Sequence, residues 1–432
     1  MVFHLLHKKS NILSTIHLKV LLFVLLPYQV HLSNSISDIN PENPTTMEQF
    51  AKNSYAFGAD LYKELASDPS ENVVFSPMSI QTCLSMVYMA AKGRTFEEIG
   101  NVLKYGASGN KQEVAKVFQD ILEGTEKEKG LEIANRIYVM QNYKLKQAFN
   151  ELTTKHFKSG VESLDFAQNT AAAKQINTWV EEKTHDKIKD LIKPDMLDGM
   201  TRAVLVNAIY FKGKWLYPFN KDLTYPMPFY VTPTETVNVD MMTIKKHFKY
   251  GALSKFDATA LEMEYKDSNI SMLFILPNQK DGLKALEEKI HEIDLKELDS
   301  QMFKQEVEVF LPKFEFEFTR ELNDVLSKLG MATAFGDAAD FSELLDSPEP
   351  LKISKVIHKA FIKVDEEGAE AAAATAAVVR KKRSMASFAT FNVEHPFYMA
   401  LQLKTEEAAF TLFSGSVRRF EEKSDEHAHM EL

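Results

Sequence analysis

From residue 46 to 66 apolar side chains recur at helical spacing, with Phe50, Phe57, Leu61 and Leu65 on one face. That pattern predicts an amphipathic helix. NVVFSP (72–77) reads as a short strand, followed by a long helix ending near Gly93 and a further helical stretch holding Ile99 and Leu103. LEIANRIYVM (131–140) predicts a strand, and 172–192 an amphipathic helix. The unbroken apolar run AVLVNAIYFK (203–212) predicts a strand covered on both faces. From 225 to 320 strand patterns dominate: FYVTPTETVNVDMM, ALEMEYKD, ISMLFILP and EVEVFLPKFEFEF. Residues 320–330 return to helix, and 388–419 alternate like paired strands.

One segment breaks the pattern. Between the strand-like AFIKV (360–364) and SFATFNV (387–393) lies EEGAEAAAATAAVVRKKRSMA (366–386). Alanine loses no side-chain entropy in a helix, so Ala371 to Ala377 has intrinsic helical preference. Four consecutive cations, Arg380, Lys381, Lys382 and Arg383, follow it and precede Ser384.

The chain has no internal repeat, composition break or long flexible linker, which favours one α+β domain over several. With 45% hydrophobic residues in 432 it can bury a large core. A net charge of −10 argues against non-specific nucleic-acid binding. The single cysteine, Cys83, excludes an intramolecular disulfide and sits in an apolar helical run as an inert thiol.

Both ends carry trafficking signals. Lys8, Lys9 and Lys19 precede an apolar core, VLLFVLLPYQV (20–30), and Ser33, Asn34 and Ser35 follow it. This reads as a secretory signal peptide over 1–33, too short to span a bilayer, which takes about 20 helical residues. No later stretch reaches transmembrane length, so the expected product is secreted and has no membrane span. Asn269-Ile270-Ser271 is then a glycosylation sequon, although it borders an apolar strand pattern that argues against occupancy. The last residues, HMEL, are a degenerate match to endoplasmic-reticulum return signals. The acidic tail 421–432 therefore has two readings, retention or an uninformative terminus.

Enzymatic chemistry is not visible. No HExxH, GxSxG, GxxxxGK[ST] or GxGxxG occurs, and FSGS (413–416) lacks the nucleophile-elbow pattern. The expectation is that the chain is not an enzyme and takes neither metal nor cofactor. Lys245, Lys246 and Lys249 form a small basic patch that reads as a solvated surface.

Over residues 46–420 the sequence resembles the serpins. NVVFSPMSI (72–80), QINTWVEEKTHDKIKDLI (175–192) and LVNAIYFKGKWLYPF (205–219) resemble dispersed family motifs. LPKFEFEF, GMATAF, DFSEL, KVIHKAFIKVDEEGAEAAAAT, EHPFYM and FTLFSGSV follow in family order. The resemblance implies a serpin fold with three β-sheets, eight to nine helices and an exposed reactive-centre loop over about 366–387. It implies a hinge of Glu366, Glu367, Gly368, Ala369, Glu370, Ala371, Ala372, Ala373, Ala374 and Thr375. It also implies a polar cluster of Ser76, Ser79, Asn207 and His358 beneath the main sheet, although ordinary satisfied core polar groups remain the second reading.

Under this resemblance the alanine run has a physical purpose. A loop that enters the main sheet must pass side chains through a gap between existing strands, and alanine and threonine do so with little steric cost. An inward charge would cost several kcal/mol of desolvation, and a proline would remove a ladder hydrogen bond. The implied partner is a serine protease of trypsin-like or furin-type basic specificity, trapped by a monomer in a covalent complex. Counting from Glu366 by the commonest family spacing puts the scissile bond after Lys382. The R-x-K-R pattern of Arg380, Lys382 and Arg383 favours Arg383–Ser384. The competing class is a non-inhibitory serpin, a carrier or chaperone.

Overall fold

The uninterrupted apolar run at 203–211 becomes the middle of a five-stranded sheet, and every one of its residues is buried. In this computed structural model, residues 46–107, 109–346, 349–367 and 388–421 are described. The signal region, the tail and residues 368–387 lie outside them.

The chain opens with helix α1 (Met47–Leu65), started by Thr46, whose hydroxyl accepts from the Gln49 amide. Strand β1 (Val73–Phe75) leads into α2 (Pro77–Ala90). Ser76 caps α2 and Pro77 occupies its first turn, where a missing amide hydrogen costs nothing. Helices α3 (Gly93–Val102) and α4 (Lys111–Thr125) follow. Next come β2 (Leu131–Met140), α5 (Gln147–Phe157), β3 (Val161–Leu164), α6 (Asn169–Lys183) and β4 (Ala203–Phe211).

The second half is mostly strand: β5 (Tyr225–Tyr230), β6 (Thr236–Leu253), β7 (Ala258–Glu264) and β8 (Ile270–Pro277). Two short helices, α7 (Leu283–Glu287) and α8 (Leu295–Gln301), precede β9 (Phe303–Pro312) and β10 (Phe314–Glu321). Helix α9 (Asn323–Lys328), β11 (Lys355–Val364), β12 (Ala389–Asn392), β13 (Phe397–Lys404) and β14 (Ala409–Val417) complete the described chain.

Nine α-helices are thus present among the described residues, and the strands form two hydrogen-bonded networks. One is five-stranded, in the order β10-β11-β4-β2-β3. The other runs β1-β14-β13-β8-β7-β6-β9-β12, with β5 also paired to β6. Strand β6 joins two portions of this second network. Its Lys249–Leu253 end pairs β7, and Met241–Tyr250 pairs β9. The expected third sheet is this β5-β6-β9-β12 portion, continuous with the other through one long strand.

Helices α1 and α2 pack on β14, and α2 also reaches β4 and β2. All fourteen residues of α2 are buried, so it forms the axis of the core between the two strand networks. The helix expected over 172–192 ends at Lys183. His185, Asp186 and Asp190 have φ of 50°, 59° and 51°, a left-handed conformation that no α-helix continues through.

Candidate functional site

Of the four strand pairs in this sheet two are antiparallel and two parallel, the edge pair β2–β3 and the central pair β11–β4. β10 is antiparallel to β11, and β2 is antiparallel to β4, but β11 and β4 lie side by side in parallel from Lys355↔Val204 to Ile362↔Phe211. This parallel seam sits directly before the segment rich in alanine, since β11 ends at Val364.

Halfway along the seam a polar row crosses it. His358 on β11 faces Asn207 on β4, which in turn faces Asn135 on β2. The Ser76 amide donates to His358 Nε2 at 3.2 Å, so that nitrogen carries no proton and Nδ1 donates to Asn207 Oδ1. Asn207 Nδ2 donates to Ser79 Oγ at 2.6 Å and to Asn135 Oδ1. Ser79 Oγ donates to Asn135 Oδ1 at 3.3 Å, and the Ser79 amide caps onto Ser76 Oγ at 3.1 Å. Ser76, Ser79, Asn207 and His358 are all fully buried. Burial drives the His358 imidazole down to about 3, so it stays neutral, as the Ser76 amide requires.

The four residues expected beneath the sheet are therefore brought together. Asn135 completes the cluster and is absent from the sequence reading. Its signal was available: a lone asparagine in the apolar strand pattern LEIANRIYVM. A buried asparagine needs partners, and Asn135 shares a strand face with Ile133 and Ile137, which offer none.

At the upper end of β11 the chain turns away under three lysines. Asp365 pairs with Lys212 at 3.5 Å, Glu366 with Lys313 at 2.9 Å, and Glu367 with Lys221. Main-chain ties add to these. Trp215 Nε1 donates to the Asp365 carbonyl and the Phe219 amide to the Glu366 carbonyl, both at 2.9 Å. Trp215 stacks on Tyr265 with ring centroids 4.3 Å apart. Glu366 is only 4% exposed. Burial alone would raise its carboxyl, but the Lys313 hydrogen bond and charge hold it below the usual glutamate value.

The remaining expected hinge residues, Gly368, Ala369, Glu370, Ala371, Ala372, Ala373, Ala374 and Thr375, lie outside the described residues. So do Arg380, Lys381, Lys382, Arg383 and Ser384. What is described is where that segment departs, at Glu367, and where it returns, at Phe388.

Asn269 is exposed immediately before β8, and Ser271 of the same sequon is buried in it. The Asn269 amide Nδ2 donates to Glu128 Oε1 at 3.1 Å, and its backbone amide reaches the same carboxylate. Cys83 is buried, and desolvation pushes its thiol up to about 12, consistent with an unreactive role. The basic patch is partly neutralised: Lys249 pairs with Asp299 at 2.6 Å and Lys245 with Glu306 at 3.5 Å. Among the described residues no helix is long and apolar enough to cross a membrane.

Comparisons with known proteins agree with this architecture. A family model described as Serpin (serine protease inhibitor) matches residues 52–419. Alaserpin of Manduca sexta is 37% identical over 366 residues, covering 84% of this chain and 91% of that protein. Serine protease inhibitor 42Dd of Drosophila melanogaster is 40% identical over 348 residues, covering 79% and 91%. The solved structure of cleaved Serpin 42Da superposes with a TM-score of 0.77 at 40% identity, covering 86% of this chain and 99% of that one. The family match corrects one expectation. Missing enzyme motifs by themselves support only the negative expectation that the chain is no enzyme. The family description puts a positive activity in place of that negative, inhibition of serine proteases.

Proposed function

The chain belongs to the serpin family of serine protease inhibitors, and from that premise we propose that it traps a protease of basic specificity by inserting its cleaved loop between β4 and β11. One observation carries the reading: the parallel seam. A segment that turns back after Val364 runs opposite to β11 and, because β4 is parallel to β11, opposite to β4 as well. Entry replaces one slanted parallel ladder with two antiparallel ones, the more stable kind per residue. Loop insertion of this sort is an established behaviour of serpins.

The sequence of the segment suits that path. Ala369 to Ala377 holds one charge, Glu370, and no proline. About twelve inserted residues at ~3.3 Å each would carry an attached protease roughly 40 Å along the sheet. The chemistry is the protease's own. Its serine attacks the carbonyl of the residue before the scissile bond, giving an acyl-enzyme and a free amine on the residue after it. Insertion that outruns hydrolysis of the ester leaves the protease held.

We assign Arg383–Ser384 as the reactive bond, with Lys382–Arg383 as the alternative. Arg380, Lys382 and Arg383 match the three acidic subsites of a furin-type convertase, each charge-assisted contact contributing roughly 1.5–3 kcal/mol. A trypsin-like enzyme uses one of them. The buried cluster of Ser76, Ser79, Asn135, Asn207 and His358 acts as the latch on the seam. The reading also includes a cleaved signal at 1–33, a secretory route, a single serpin domain over 46–420 and a glycan on Asn269.

The test is to mix the purified protein with trypsin and, separately, with furin. An SDS-stable covalent complex with at least one of them is the expected result. Cleavage of 380–384 by both without a complex, and without a rise in the melting temperature of the cut protein, would replace this reading with that of a processed carrier.

A further inference from the structure

Two aromatic rings meet across the seam between β4 and β11, on the face opposite the buried polar row. Phe361 lies directly across from Tyr210 in the parallel register. Their ring centroids are 5.3 Å apart, with the planes inclined by 31°. Each stands three positions beyond a member of the row, His358 or Asn207, and an odd offset along a strand turns a side chain to the other face. Tyr210 is 8% exposed and Phe361 is half-buried. Among the described residues no other aromatic pair joins these two strands.

The neighbouring side chains leave the pair to itself. Two positions below on the same face, Lys359 lies across from Ala208, and its ammonium goes to Glu317 at 2.5 Å and to the Lys189 carbonyl at 2.7 Å. Along the row of the rings, Glu132 of β2 lies beside Tyr210 and Glu317 of β10 beside Phe361. Glu132 is hydrogen-bonded to His185 at 3.1 Å, so both carboxylates are engaged elsewhere. Ring contact, not charge, is what ties β4 to β11 through side chains at this level.

Resting on the reading given under Proposed function, we propose that Tyr210 and Phe361 are positioning residues, a clasp that sets how fast the seam opens to an entering strand. The argument is one of distance. Neighbouring strands lie about 4.8 Å apart, so a strand entering between β4 and β11 moves them to about 10 Å. Aromatic pairs interact only out to about 7 Å between centroids. The ring contact thus exists in the closed sheet alone and is given up before a strand can enter. A contact present in both states would cancel, whereas this one counts in full against opening. The clasp lies one rung below the Ile362–Phe211 end of the register and three above the polar row, so opening from the hinge reaches it before His358.

Entry of a synthetic peptide with the sequence of residues 369–380 into the intact protein measures opening without any protease. Entry is read as the gain of a species with a higher melting temperature. Phe361→Leu and Tyr210→Leu are first melted to establish that they fold. Each is expected to speed entry by about two- to tenfold, the rate equivalent of one aromatic pair. Phe361→Tyr and Tyr210→Phe keep both rings and should stay near the wild-type rate. The double leucine variant should be no faster than either single one, because either change already removes the contact. The acceleration should be the same at low and high ionic strength. Unchanged rates in folded variants overturn the clasp. Two single effects that multiply in the double variant also overturn it, since each ring would then act through its own packing. Failure of the underlying reading looks different: wild type itself takes up no peptide and gains no stability when cut, which overturns both.

Discussion

The imidazole of His358 and the side-chain amide of Asn207 are directly hydrogen-bonded across the central parallel seam, β11–β4, of the five-stranded sheet. The bond fixes the tautomer, and the tautomer fixes a pH dependence. The native imidazole is driven down to about 3, whereas in the unfolded chain it titrates near 6.5. The unfolded state therefore binds the extra proton between those values. Stability is complete above about pH 6.5 and falls with acidification toward 3, by up to about 1.4 kcal/mol per pH unit. The melting temperature of wild type should drop between pH 7 and pH 5. His358→Gln should melt lower at pH 7 but lose much of that slope. Parallel profiles would show that other groups dominate.

Asn135 accepts from both Asn207 and Ser79. Asn135→Ala leaves two buried donors without an acceptor, at a cost of about 1–3 kcal/mol. Denaturant unfolding reads this directly. A change below about 0.5 kcal/mol would mean that water or a neighbouring group takes over the acceptor's place.

Lys313→Met removes the ammonium that holds the Glu366 carboxyl below its usual value. In wild type that carboxyl contributes stability above the unfolded glutamate pKa, and the contribution is lost as pH falls through the lower native one. The variant should be destabilised by about 1–3 kcal/mol at pH 7 and show a flatter acid limb. Hydrogen exchange of the backbone amides of residues 365–367 should accelerate. Exchange unchanged from wild type would assign the hinge's restraint to the Trp215 and Phe219 bonds instead.

Gly213 has no room for a side chain. An added Cβ would lie 2.5 Å from Tyr265 Cδ1 and 2.6 Å from Phe211 Cζ. Gly213→Ala should displace the Tyr265 ring from Trp215 and lower stability by about 1–3 kcal/mol. A shift in the tryptophan emission spectrum is the expected signature, Trp179 being the only other indole in the chain.

Thr375→Arg places a long cation in the segment proposed above to enter the seam. Desolvation of that charge slows entry, so hydrolysis wins and the protein becomes a substrate. Titration against trypsin should show the number of molecules consumed per protease rising several-fold. An unchanged number would argue that position 375 remains outside the sheet.

The legible part of this molecule was the part written in local pattern. The apolar run at 203–211 announced a doubly covered strand because nothing polar but Asn207 interrupts it. His358 and Asn207 came from resemblance to a family, and their shared row across the seam became visible only through strand register. Asn135 was passed over because its strand was read for periodicity alone. The lysines that hold Asp365, Glu366 and Glu367 come from after β4, from before β5 and from between β9 and β10. Local spacing does not encode a meeting of segments so far apart.

Helices α4, α5 and α8 were also missed. The buried faces of α5 and α8 are narrow, Phe149, Thr153 and Phe157 in α5 and Leu298 alone in α8, so their helicity owes more to docking than to amphipathic pattern. Helix α4 is different: Val114, Phe118, Ile121 and Leu122 are buried at ordinary helical spacing, a pattern the sequence does carry. Helix α6 is shorter than its sequence pattern because Thr184 caps it and the backbone of His185 and Asp186 turns left-handed.

The polar row lies well below the top of the seam, with Lys359 to Val364 between it and the hinge. A strand peeling apart from the upper end first gives up the Lys212 and Trp215 ties to Asp365, and from there to that depth it separates apolar side chains and backbone rungs along the seam. Shallow breathing of the hinge can thus reclose without disturbing His358, while any excursion past it must break a buried proton-sharing contact. The sheet carries a point of no return, and its position along β11 sets how far the molecule can open and still go back.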